Sequence, residues 1–137
     1  MTDGPAPDAP TDGPAPDTPP STWSVVPAFT TDGLRVVYGT GANNVWASGY
    51  KGHVYHYDGT GWSPVVTSNS SELYAMWGSS ATDIWAVGDG GLIYHFDGTT
   101  WGQVLSPTSA DLHGVWGSSA SDVWVVGEFG VILHHGP

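Results

Sequence analysis

The stretch WGSSATDIWAVGDGGLIYHFDGTTW, residues 77–101, is built of short apolar runs rich in β-branched and aromatic residues, cut by clusters of Gly, Ser, Asp and Thr. Runs of that kind read as consecutive antiparallel strands joined by tight turns. Worked outward, the spacing predicts strand A at about 73–78, B at 83–88, C at 91–96 and D at 100–105, with turns at GSSAT, DGG and DGTT. No helical period fits.

The same pattern occurs on both sides. LRVVYGTGANNVWASGYKGHVYHYDGTGW begins at residue 34 and LHGVWGSSASDVWVVGEFGVILHHGP at residue 112, so the period is 39. Four aligned series fix it: Trp46, Trp85 and Trp124; Tyr38, Trp77 and Trp116; Trp23, Trp62 and Trp101; and His56, His95 and His134. Four strands in roughly 40 residues make one blade of a β-propeller, so the expected fold is all-β, about three four-stranded antiparallel blades over residues 22–137. Gly49, Gly88 and Gly127 recur at the end of strand B, where a tight turn is expected to demand positive φ.

The strings WGSSATDIWAVG and WGSSASDVWVVG resemble the WGSSxxDVWAVG repeats of large secreted bacterial propeller proteins. They are more loosely similar to Asp-box and photosystem-assembly-factor-like propellers. The resemblance covers residues 22–137 and speaks for fold rather than function, since propellers host many activities. YDGTGW at 57–62 and FDGTTW at 96–101 depart from the Asp box S-x-D-x-G-x-T-W, lacking the residue between Asp and Gly.

Trp23 implies a D strand at about 22–27 ahead of the first A strand, while the unit from 112 supplies A, B and C. Together these are three blades' worth of strands, whereas closed propellers use about four to eight blades. Two expectations follow. Either the chain belongs to a longer gene product, or two copies self-associate as a dimer closing a six-bladed ring, each N-terminal D strand pairing into an incomplete blade.

Composition narrows the partners. Arg35 and Lys51 are the only Lys or Arg residues against thirteen acidic residues, a formal charge of −11, which disfavours nucleic acid and anionic lipid. Cysteine is absent, which excludes disulfides, thiolate metal sites and a Cys nucleophile. No apolar run reaches membrane-span length, so no membrane insertion is expected. Residues 1–21, with TDGPAPDAP followed by TDGPAPDTPP, carry no large apolar side chain after Met1 and read as a disordered Pro- and Asp-rich leader or linker. Both a cell-surface tether and a tail without a role fit that composition.

His56, His95 and His134 sit on strand C near acidic residues, but recurrence in every unit reads as scaffold, a His bonded to a neighbouring strand or turn. Asn44, Asp83 and Asp122 open strand B, where Asx side chains bond the A–B turn. The Trp series reads first as packing, with aromatic sugar platforms as the alternative. No catalytic residue, metal ligand set or cofactor is expected, and no dense oxygen cluster suits calcium.

Function is expected where the repeats disagree, because the scaffold does not dictate those positions. The B–C tips vary as Tyr50-Lys51, Asp89-Gly90 and Glu128-Phe129, and the second residue of strand A varies as Arg35, Tyr74 and His113. Tyr50, Lys51, Phe129, Tyr74, His113 and Arg35 are therefore the ligand-binding candidates, expected around a shared mouth. The reading is a non-catalytic extracellular or cell-surface binding or scaffold module for a glycan or protein. The alternatives are a piece of a larger glycosidase-like hydrolase or a purely structural self-assembling repeat. A sialidase Arg triad is excluded by the single Arg.

Overall fold

A computed structural model describes residues 22–65, 67 and 70–137, so the leader reading at 1–21 lies outside the described residues. Blade 1 comprises β1 (Leu34–Gly41), β2 (Asn44–Gly49), β3 (Val54–Tyr57) and β4 (Trp62–Val65). Blade 2 comprises β5 (Leu73–Ser80), β6 (Asp83–Gly88), β7 (Ile93–Phe96) and β8 (Trp101–Val104). Blade 3 holds β9 (Leu112–Ser119), β10 (Asp122–Gly127) and β11 (Ile132–His135). Each sheet is an antiparallel meander in chain order.

Three details differ from the sequence expectation. The C strand of blade 2 starts at Ile93 rather than 91, because Asp89–Gly91 forms a tight turn whose middle residue has φ of 63°. The same turn places Lys51 at φ 62° and Phe129 at φ 57°, so the left-handed position follows the recurring glycine rather than coinciding with it. The D strand expected at 22–27 is not formed, and Trp23 is fully exposed. Blade 1 already has four strands, and the edge that Trp23 matches by repeat, β11, lies in blade 3.

Register explains the aromatic series. Trp85 is paired with Trp77 on one side and His95 on the other, and Trp46 and Trp124 sit likewise between Tyr38 and His56 and between Trp116 and His134. Directly paired residues share a face, so each blade carries one transverse aromatic ladder. The ladders face the next blade. Val36, Trp46 and Val54 pack against Met76, Ile84, Tyr94 and Trp101, and Trp85, Val87 and Ile93 pack against Leu112, Val123 and Val125. The core therefore lies between blades rather than within them, each large side chain contributing about 1.5–3 kcal/mol by burial.

Candidate functional site

The second residues of the three A strands lie side by side. The Arg35 guanidinium stands 4.3 Å from the Tyr50 ring centroid and 5.6 Å from that of Tyr74. It also donates to the Tyr50 hydroxyl at 2.5 Å and lies 3.8 Å from the Glu72 carboxylate. Tyr74 and His113 have ring centroids 4.9 Å apart, and His113 Nε2 is 3.6 Å from Glu128 Oε1. Four of the six candidates thus join in one array crossing all three blades: Tyr50, Arg35, Tyr74 and His113.

The other two stand at B–C tips. Lys51 faces Asp32 at 3.7 Å, and Asp32 also engages His53 Nδ1 at 2.5 Å and accepts from the Tyr55 hydroxyl at 2.8 Å. Those bonds hold the Asp32 carboxyl at about 2, below its ordinary 3.8. Phe129 is exposed, with its ring in solvent.

Sequence reasoning passed over the acidic side of the mouth. Glu72 and Asp111 precede β5 and β9, at the position held by Gly33 before β1, and that disagreement between repeats was the signal. The Asp89 N–H donates to the Glu72 carbonyl at 3.0 Å and the Glu128 N–H to the Asp111 carbonyl at 2.9 Å, so the backbone brings the carboxylates together. Asp111 Oδ1 also accepts the Gly90 N–H at 2.8 Å. Asp89 has its pKa raised, first by a side-chain hydrogen bond with Asp111, then by burial and the negative charges of Asp111, Glu72 and Glu128.

The sign of that shift gives a test. A raised carboxyl contributes stability below its unfolded pKa, and that contribution is lost as pH rises through the folded value, leaving like charges crowded at neutral pH. Asp89→Asn is therefore expected to melt higher than the parent protein at pH 7, the gap closing as pH falls toward 4. Equal melting temperatures at pH 7 would show that the crowding carries no cost.

Asp111, His113 and Glu128 each present one ligand atom, all within 4.8 Å of one another. One imidazole nitrogen and two carboxylate oxygens on an acidic rim suit a cationic group.

The repeated histidines have local partners. His56 Nε2 meets Asn44 Oδ1 at 2.6 Å, His95 meets Asp83 at 2.6 Å, and His134 meets Asp122 at 2.7 Å. Each ring also packs on the B-strand Trp of its blade, with centroids 4.1, 4.3 and 3.9 Å apart. This is the strand-to-turn bonding expected of a scaffold histidine. Of the repeated tryptophans, Trp46, Trp85 and Trp101 are buried, whereas Trp23, Trp116 and Trp124 are exposed.

No protein-family model and no curated protein sequence matches the chain. Solved structures do. "YCF48 bound to D1 peptide" superposes with a TM-score of 0.70 at 17% identity, over 80% of this chain and 39% of that one. YCF48 from Cyanidioschyzon merolae superposes with a TM-score of 0.66 at 18% identity, over 79% of this chain and 39% of that one. The chain therefore spans about two-fifths of the length of these neighbours. At such identities the likeness concerns fold alone, and it agrees with the blade pattern: the strands between Leu34 and His135 form blades of a β-propeller.

Proposed function

We propose that this chain is a non-catalytic binding module whose mouth takes a protein ligand, presented as a peptide segment carrying Lys or Arg. One observation carries the reading: Tyr50, Arg35, Tyr74, His113 and Glu128 form a continuous array at positions where the repeats differ. Tyrosine rings supply rigid contact and cation–π faces. Glu72, Asp89, Asp111 and Glu128 supply negative charge that a basic side chain would neutralise. The YCF48 neighbour named with a bound peptide supports a peptide as ligand. The Pro- and Asp-rich sequence at 2–20 and the likeness to secreted bacterial repeat proteins support an extracellular or cell-surface setting.

Fluorescence polarisation with labelled hexapeptides rich in Lys or Arg, alongside acidic counterparts and a glycan array, tests the reading. Basic peptides are expected to bind, less tightly as salt rises, and Tyr74→Ala or Glu128→Gln to weaken binding about tenfold or more. Binding confined to glycans, or unchanged in both variants, sinks the peptide reading. Turnover of chromogenic glycosides would overturn the non-catalytic one.

A further inference from the structure

We propose that a second copy of this chain completes blade 3: residues 22–27 of one copy add as a fourth strand beside β11 of the other, Trp23 seats near Trp85 and His135, and the reciprocal addition closes a ring of six blades.

The donated segment has the sequence of a D strand. Trp23 precedes Trp62 by 39 residues and Trp101 by 78. Val26 lies 8 residues before Leu34, as Val65 lies before Leu73 and Val104 before Leu112, so the connection matches the one that links β4 to β5 and β8 to β9. The acceptor is also present. Among the described residues β11 is the outer strand of a three-stranded sheet, with one side of its backbone unpaired.

The space between blades 2 and 3 says which side chain is wanted. Between blades 1 and 2, Trp101 of β8 lies 5.4 Å from both Trp46 and Phe96. The corresponding pair between blades 2 and 3, Trp85 and His135, lies 5.0 Å apart and borders an apolar cavity of about 320 Å³. A D-strand tryptophan of blade 3 belongs there. The chain's own Trp23 leads into blade 1, where Phe29 stacks on Trp62 at 4.9 Å, two blades from that cavity.

The outer faces match as the inner ones do. Ile132 is 64% exposed, whereas its equivalents Ile93 and Val54 are 8% and 1% exposed, covered by the following blade. On the opposite side of the array Leu34 is 44% exposed, against 0% for Leu73 and Leu112. The uncovered face of blade 3 thus repeats the face that receives a blade, and that of blade 1 repeats the face that is received. Charge agrees: blade 3 presents Glu128 at 3.6 Å from His113, and closure sets Arg35 of the second copy beside His113 as His113 stands beside Tyr74. The three described blades fall short of the usual range of about four to eight, and two copies supply six.

Light scattering on the whole 137-residue chain across micromolar to near-millimolar concentration reads the result directly. A discrete two-chain mass is expected. Trp23→Ala, at a side chain exposed in the single copy, is expected to weaken association by more than about 30-fold, and Ile132→Lys to do likewise, both with unchanged circular dichroism. A one-chain mass throughout, a ladder of species that grows with concentration, or a two-chain mass retained in both variants overturns the proposal. The assembly is independent of the ligand reading, since peptide binding through Tyr74 is measured separately.

Discussion

Gly88→Ala is expected to cost about 3 kcal/mol or more and to disrupt the middle blade, although Gly88 has extended backbone with φ of −171°. The reason is close approach. A Cβ at residue 88 would stand 1.9 Å from the Glu72 carbonyl oxygen, and at 49 or 127 it would stand 2.1 or 2.4 Å from the carbonyls of Gly33 or Asp111. Those carbonyls cannot withdraw freely, because each accepts the N–H of the next residue, Asp89, Tyr50 or Glu128. Gly90 provides the control: its φ is 63°, but nothing lies within 4 Å of its Cβ position. Gly90→Ala should therefore cost only the ~1–2 kcal/mol of a left-handed residue. Urea unfolding of the two variants separates the causes, and a Gly88→Ala protein as stable as Gly90→Ala would refute the steric account. Against a typical total of about 5–15 kcal/mol, the larger loss removes a substantial share of the stability.

That contrast shows where sequence reasoning reached and where it stopped. A glycine recurring every 39 residues announced a fixed backbone demand, but two demands, positive φ and close approach, leave the same letter in the sequence. Only Glu72 O near Gly88 distinguishes them. Strand identity was legible because alternation and turn residues are local, and the B strand of blade 2 falls at Asp83–Gly88 as its pattern predicts. The strand expected at 22–27 failed because a strand needs a neighbour, and its neighbour by repeat is two blades away. The mouth was legible in part for the same reason. Repeat comparison found Arg35, Tyr74 and His113, which project from equivalent strand positions. It overlooked Glu72 and Asp111, whose approach to Asp89 and Glu128 depends on contacts between successive blades.

Trp85→Ala is expected to cost about 3–5 kcal/mol, the range for emptying a buried aromatic site, while Trp124→Ala costs about 1 kcal/mol in the single copy. The two residues hold the same place in the repeat. Trp85 is 8% exposed, lies 4.3 Å from His95 and 5.0 Å from His135, and belongs to the cluster joining blades 2 and 3. Trp124 is 40% exposed and has no following blade to cover it among the described residues. Their indoles differ in polar terms too. Trp124 Nε1 donates to Asp122 at 3.0 Å, whereas Trp85 Nε1 is buried without a hydrogen-bond partner. Trp85→Phe should therefore be mild, under about 1.5 kcal/mol, because it keeps most of the packing and removes an unpaired donor. Thermal melts at concentrations where the chain is a single copy give the ranking. If Trp85→Ala were no worse than Trp124→Ala there, the stability of this array would reside within each sheet, and the contact between blades would not be what holds it together.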